Sequence, residues 1–298
     1  LFSSRSSSRV FTAVLTFGLL MGCTKHARIE EPVIHVGLDE GVKTLDPANT
    51  YDENSLQVLS SVDESLYEYD FYSTETKVIP LLADGMPVTS KDGRRVTVKI
   101  RPGIHYAKDP AFGPAGTREL VANDFVTAVK RLAHPGVQSQ GRWIFDGRLV
   151  GFTAFVKKLE ATPKEKLAAV FESGTIPGLR AIDAHTLEFT FEKPYPQFIY
   201  TLTMSFVAPV PPEAIAKYGD EHGQMNDHMV GTGPFKLKDW RRGFSLTLVK
   251  NPDFRHVEYP LGSELAGKTM PAADGIEYRV LREEQPRWLS FMRGDIDF

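Results

Sequence analysis

Residues 230–254 read VGTGPFKLKDWRRGFSLTLVKNPDF. Gly231 and Gly233 allow the backbone to approach another surface closely. Apolar and polar side chains then alternate on both sides of a turn at residues 241–243, which predicts two half-buried strands. An Asn-Pro-Asp turn at residues 251–253 closes the hairpin. An ordinary hairpin behind a glycine turn has the same pattern, so the function depends on motifs elsewhere in the chain.

Further elements of an α/β pattern surround this hairpin. A strand at residues 33–38 leads through Leu45-Asp46-Pro47 into a helix over residues 51–67, for which Thr50 and Glu53 have capping-box spacing. Alternating apolar residues predict other strands at residues 96–100, 187–191, 274–280 and 293–298. Helical periodicity predicts helices at residues 121–132, 157–170, 197–204, 212–218 and 285–293.

The set of motifs resembles the family 5 extracellular solute-binding proteins, the peptide-type receptors of ABC importers. The resemblance is carried by the G-T-G-P-F-x-L strand, the N-P-x-F exit, the L-D-P loop and the final G-D-I-D. It implies an α/β fold: the first lobe of a periplasmic-binding-protein-like (class II) clamshell, with a mixed sheet, flanking helices and a β-rich subdomain. It also implies that a peptide ligand is captured and delivered to the permease subunits of an ABC transporter.

The resemblance further implies which residues border the ligand. Positions just before the L-D-P loop do so in the family, as does an aromatic residue in the region of Trp143, and the glycine-rich rim before the hairpin adds backbone donors. From the residues alone, Glu40 could equally be a solvated loop carboxylate, and a lone tryptophan is more often a core residue. The predicted ligand-binding residues are Glu40, Gly41, Val42, Trp143, Gly231, Thr232 and Gly233.

The first residues predict an export signal. Arg5 and Arg9 precede an apolar run at residues 10–20, which is too short to span a bilayer. Cys23 follows Gly22 directly and is the only cysteine. A small residue before a cysteine at the end of such a run resembles a bacterial lipobox, in which the cysteine is lipidated. The alternatives are a plain secretory leader and a buried apolar strand with an inert cysteine.

These signals predict a division into three parts. A lipoprotein signal peptide occupies residues 1–22, a tether residues 23–32, and the solute-binding domain residues 33–298. We expect a monomer at an extracytoplasmic face, held to the membrane by a lipid anchor. Because a second lobe normally follows the G-D-I-D motif in the family, the sequence is predicted to be truncated before that lobe. Its last strand is then expected to lack partners.

Composition and missing motifs exclude several classes of function. The chain has 298 residues, 42% hydrophobic and 24% charged, with a formal net charge of −3, so nothing indicates a nucleic-acid surface. No nucleophile elbow, phosphate-binding loop or zinc-protease motif occurs, and one cysteine excludes a disulfide. We therefore predict no enzyme, no metal and no cofactor. A structural or signalling lipoprotein of the same fold, or a receptor for a nickel chelate, a sugar or haem, stays open.

Overall fold

The computed structural model describes residues 32–298. The predicted signal peptide, Cys23 and all of the tether except Pro32 lie outside the described residues. Within residues 32–298 there are ten strands and seven α-helices. In chain order they are β1 (Val33–Leu38), α1 (Glu53–Val62), β2 (Tyr67–Tyr69), β3 (Val78–Pro80), β4 (Val88–Thr89), β5 (Arg95–Lys99), α2 (Ala122–Leu132), α3 (Phe152–Glu160), α4 (Lys164–Ser173), β6 (Leu179–Asp183), β7 (Thr186–Thr190), α5 (Phe198–Thr201), α6 (Pro212–Tyr218), β8 (Phe235–Arg241), β9 (Ser245–Lys250), β10 (Gly275–Val280) and α7 (Glu284–Met292).

A mixed four-stranded sheet contains the hairpin predicted within residues 230–254, which is formed by β8 and β9. Its strand order is β1-β10-β9-β8, with β1 parallel to β10 and the other pairs antiparallel. Helix α1 covers one face of this sheet, because Val58, Leu59 and Val62 share a helical stripe and are buried against the strands. The strands contribute alternate residues to the same core, including Leu246 and Leu248.

A second, antiparallel sheet forms the β-rich subdomain. Its order is β4-β5-β7-β6, and α2 packs against β6 and β7. The larger of the two hydrophobic clusters lies here, where the rings of Phe189 and Phe191 stand next to Phe198 at centroid distances of 4.7 Å. The predicted α/β class, with a mixed sheet, flanking helices and a β-rich subdomain, is confirmed.

Helix α1 is shorter than the predicted helix at residues 51–67. Its N-cap is Asp52, whose carboxylate accepts a hydrogen bond from the Ser55 amide at 3.0 Å, so the predicted capping box at Thr50 was wrong. The Thr50 hydroxyl instead donates to the backbone carbonyl of Asp46 at 2.7 Å. The helix ends at Val62, where the next residue adopts an extended conformation and the chain turns towards β2.

The single helix predicted at residues 157–170 is in fact two helices, α3 and α4. Pro163 separates them, since it lacks an amide proton and disfavours a helical conformation in the residue before it. Helix α6 occupies the predicted residues 212–218, with prolines at its start and Gly219 after its end.

Two further expectations about the sheet need correction. The alternation of apolar and polar residues after the turn at residues 241–243 predicts that Phe244 lies on the buried side of the hairpin, but it belongs to the turn between β8 and β9 and is 68% exposed. The last residues were expected to lack partners, but they lie beside β1. The Asp297 amide donates to the His35 carbonyl at 2.7 Å, and the Gly37 amide donates to the Phe298 carbonyl at 2.9 Å.

The helices within residues 32–298 are short relative to a bilayer. In this part of the chain no helix has both the length and the apolar character needed to cross a bilayer.

Candidate functional site

An open groove of about 1240 Å³ runs along the outer face of α1. Its other walls are the hairpin of β2 and β3, a segment at residues 203–208 and parts of a loop at residues 254–270. Ligand pockets for small molecules usually have volumes of about 300–1,000 Å³, so this groove is large enough for a peptide of a few residues.

The groove exists because α1 is buried on one side only. Val58 and Val62 face the sheet, whereas Leu56 and Ser60 are exposed and line the groove. This follows from the helical period, which places residues three and four positions apart on a common face.

Aromatic rings are exposed along the groove. Tyr51, at the N-terminal end of α1, is 63% exposed, and its ring lies 6.3 Å from that of Phe206. Tyr69, Phe71 and Tyr72 project from the hairpin of β2 and β3, and Phe71 is 89% exposed. Exposed aromatic residues grouped around a concavity are typical of a binding surface.

Ionic groups fix the end of the groove at the C-terminus of α1. The Arg255 guanidinium forms hydrogen bonds of 2.6 and 2.8 Å to the two carboxylate oxygens of Glu64. The hydroxyl of Thr232 donates to the same carboxylate at 2.9 Å. Glu64 and Thr232 are both buried, so this arrangement satisfies a carboxylate inside the protein.

Asp63, the residue next to Glu64, is buried without a basic partner among the described residues. One of its carboxylate oxygens accepts a hydrogen bond from the Glu64 amide at 2.9 Å, and the side chain borders the groove. Burial raises the pKa of the Asp63 carboxyl well above its usual range, and the negative charge of Glu64 adds to the effect.

The predicted glycine-rich rim lies at this C-terminal end of α1. A side-chain carbon on Gly231 would stand 2.0 Å from the Val62 carbonyl oxygen, and one on Gly233 would meet the same group at 2.7 Å. The Gly233 amide donates to that carbonyl at 2.8 Å, and Thr232 is only 1% exposed. The close approach that the glycines permit is therefore to α1, and ligand contact by Gly231, Thr232 and Gly233 stays a prediction.

The loop of Glu40, Gly41 and Val42 lies at the opposite end of α1. The Asn54 side chain donates to the Glu40 carbonyl at 3.0 Å and so ties the loop to the first turn of the helix. Val42 anchors the loop by burying its side chain in the core of the mixed sheet. Among the described residues, no hydrogen bond satisfies the backbone groups of Gly41 and Val42, and ligand contact by this loop also stays a prediction.

Trp143 lies on a short 3₁₀ segment, Gln140–Ile144, and is 47% exposed rather than part of the core. The same segment packs on Phe206 through Gly141, where an added side-chain carbon would stand 2.5 Å from the ring. Since Phe206 stacks on Tyr51, the segment that carries Trp143 lies near the N-terminal end of α1. Contact between Trp143 and a ligand is untested.

The structure thus divides the predicted site residues into two groups. Strand β8 runs in the same direction as β1. Gly231–Gly233 precede β8 and Glu40–Val42 follow β1, so the two groups lie at opposite ends of the strands. None of the seven predicted ligand-binding residues lines the groove between these ends, which is lined instead by residues that the sequence did not indicate, such as Tyr51, Leu56 and Phe71. In the sequence these residues are recognisable only as apolar or aromatic residues outside the buried face of an element. Such residues are common on any protein surface and do not by themselves indicate a binding site.

Among residues 32–298 no group of three or more His, Cys, Asp or Glu side chains is arranged to hold a metal ion.

Comparison with known proteins identifies the family. The model of the bacterial extracellular solute-binding proteins, family 5 (middle), matches residues 77–298. The chain belongs to this family. The match covers the second sheet, the glycine-rich motif, the hairpin and the chain's last residues.

The relatives of this family 5 protein are named for different ligands. A probable D,D-dipeptide-binding periplasmic protein of Escherichia coli K12 is 26% identical over 276 residues, 91% of this chain and 44% of its own length. A probable deoxycholate-binding periplasmic protein of the same organism is 25% identical over 85% of this chain and 41% of its own length. This family 5 chain therefore spans less than half the length of these curated relatives.

A solved structure confirms the fold of this family 5 chain. The pheromone receptor PrgZ, described with its mode of peptide binding, superimposes with a TM-score of 0.68 at 22% identity. The superposition covers 90% of this chain and 46% of the receptor, which agrees with one lobe of a two-lobe protein.

Proposed function

We propose that this chain supplies one lobe of a substrate-binding lipoprotein, which captures a peptide and delivers it to the permease of an ABC importer. The observation that carries the proposal is the open face of α1, which forms one wall of a peptide-sized groove lined with exposed aromatic rings. Membership of family 5 and the similarity to a dipeptide-binding protein support a peptide ligand.

The loop at the N-terminal end of α1 fits recognition of a peptide main chain. Gly41 and Val42 have backbone groups without partners among the described residues, while the Val42 side chain is held in the core. A ligand backbone could pair with these groups as an added strand, and this mode of binding tolerates different ligand side chains. Glu40 and Trp143 would border the same end of the ligand.

We further propose that the protein acts outside the cytoplasm as a monomer and has no catalytic role. Residues 1–22 would be removed as a signal peptide, Cys23 would carry the lipid, and residues 23–32 would connect it to the domain at residues 33–298. Metabolic labelling with an alkyne fatty acid tests this: the wild type should be labelled and fractionate with membranes, and Cys23→Ser should not. Labelling of Cys23→Ser would contradict the anchor.

Peptide capture is tested with the product of the complete reading frame. A pool of peptides of two to six residues should raise its melting temperature, and the increase should grow with peptide concentration. Tyr51→Ala should weaken binding by up to about tenfold through the loss of aromatic contact. Ile182→Ala, an exposed position on β6 away from the groove, is the matched control. No stabilisation by any peptide, or equal effects of the two substitutions, would contradict the proposal.

A further inference from the structure

The charged side chains that line the groove along α1 are all acidic. Six carboxylate residues line it, and none of the described residues that line it is Lys, Arg or His. They are Glu53, Asp63, Glu64, Glu68, Asp70 and Glu258. The chain as a whole is nearly balanced, with 35 basic and 38 acidic residues, so the groove is far more acidic than the average surface.

Three of these carboxylates have basic partners just outside the lining. Glu64 is held by Arg255, Asp70 lies 3.6 Å from the Lys77 ammonium, and Glu258 lies 3.3 Å from His256. Within residues 32–298, Glu53, Asp63 and Glu68 have no salt-bridge partner. The protein therefore supplies no cation as a partner for these three carboxyl groups among the described residues.

Asp63 is the strongest indication that a ligand supplies a cation. It is less than one-tenth exposed and borders the groove, and within residues 32–298 the one hydrogen bond to its carboxylate comes from the neighbouring Glu64 amide. Burying a carboxylate without a counter-charge is unfavourable, so a cation placed in the groove would stabilise its charged form.

One protein cation beside the groove is held in the way a ligand cation would be held. The Arg255 guanidinium lies 4.9 Å from the centre of the Phe254 ring and forms two hydrogen bonds to Glu64. The hairpin wall carries the same kinds of groups, because Glu68 and the exposed rings of Tyr69 and Phe71 all line the groove. Aromatic faces attract cations through their quadrupole, and a nearby carboxylate strengthens the attraction.

We infer that the groove selects peptides carrying a basic side chain, with the carboxylates of Glu53, Asp63 and Glu68 and the rings of Tyr69 and Phe71 as the cation-binding wall. This inference rests on the proposed function, since it assigns a ligand class to the same groove. Specificity here means a difference of affinities: a neutral peptide binds more weakly and an acidic one is repelled.

The test compares Ala-Lys-Ala, Ala-Ala-Ala and Ala-Glu-Ala by isothermal titration with the product of the complete reading frame. The lysine peptide should bind most tightly and the glutamate peptide least. The double variant Glu53→Gln and Glu68→Gln should lose about tenfold in affinity for Ala-Lys-Ala, because two partly exposed charge pairs are removed. Its affinity for Ala-Ala-Ala should fall less, so that the ratio of the affinities for Ala-Lys-Ala and Ala-Ala-Ala decreases. Glu75→Gln, an exposed carboxylate outside the groove lining, is the matched control and should change neither value.

The outcomes separate this inference from the proposed function. If all three peptides bind equally, or if the double variant weakens all of them alike, the inference is overturned and peptide capture stands. If spermidine binds and responds to the double variant while no peptide binds, the cation preference holds and the proposed peptide function is overturned. If neither spermidine nor any peptide binds, both are overturned.

Discussion

Arg131 and Asp46 form a buried, bidentate ion pair with two hydrogen bonds of 2.7 Å, although 85 residues separate them in the chain. Arg131 is on α2, and Asp46 is in the L-D-P loop before α1. Asp46 also accepts hydrogen bonds from the amides of Ala48 and Met225 at 3.0 and 2.9 Å. The aspartate of this loop therefore joins the β-rich subdomain to the segment that precedes the groove.

Removing Arg131 should be strongly destabilising. Arg131→Met would leave the Asp46 carboxylate buried without a counter-charge, which typically costs about 3–5 kcal/mol of unfolding free energy. Arg142→Met is the matched control, because Arg142 forms an exposed pair with Glu160 at 2.8 Å, and such pairs contribute about 1 kcal/mol or less. Urea denaturation of both variants measures the difference. Equal losses would contradict the role assigned to the buried pair.

Acid should weaken the fold through the same residue. Burial acts to raise the pKa of Asp46, but the hydrogen bonds and charge of Arg131 outweigh it, so the folded-state pKa lies below the usual value. A lowered pKa means that the charged carboxylate stabilises the fold above its unfolded pKa of about 4, and that this contribution is lost as the pH falls through the folded-state value. Urea midpoints between pH 7 and pH 3 should therefore fall less steeply in Asp46→Asn, which is less stable throughout, than in the wild type.

Asp63 should behave in the opposite way. Its raised pKa means that the neutral acid is favoured in the fold, and that stability is lost as the pH rises through the folded-state value. Asp63→Asn keeps an acceptor for the Glu64 amide and removes a buried charge, so it should stabilise the protein by about 1 kcal/mol at pH 7. The gain should disappear near pH 4 in thermal melts. Destabilisation at pH 7 would contradict the account of Asp63 as an uncompensated buried carboxyl.

The glycine motif should be important for stability whether or not it contacts ligand. In Gly231→Ala the new carbon would stand 2.0 Å from the Val62 carbonyl oxygen, so α1 or the motif must shift, at a cost of about 2 kcal/mol or more. Gly41→Ala is the control, since the nearest atom to its new carbon is 3.5 Å away. Thermal melts of both variants test this. A similar melting temperature for Gly231→Ala and the wild type would contradict the close contact with α1.

Local signals in the sequence predicted much of the fold. The bounds of α6 follow from prolines at its start and a glycine after its end, and the β8–β9 hairpin follows from alternation around residues 241–243. The division of α3 and α4 could have been predicted as well, because Pro163 lies inside the helix expected at residues 157–170.

Contacts between distant residues could not be predicted from one sequence. The pairing of Glu64 with Arg255 joins residues 191 positions apart, and periodicity gives no information on such contacts. The groove itself depends on which side of α1 stays uncovered, and this is decided by the placement of the β2–β3 hairpin. For the same reason, periodicity could not predict that Gly231 and Glu40 lie at opposite ends of α1.

The most direct measurement of the central claim is to map where a peptide binds. A pool of short peptides carrying benzoylphenylalanine would be cross-linked by light to the product of the complete reading frame, and the adducts located by mass spectrometry. Binding in the groove along α1 predicts adducts within residues 51–72, 203–208 and 254–270, and their loss on competition with unlabelled peptide. Competable adducts confined to α2, α3 and α4, or no competable adduct at all, would contradict it.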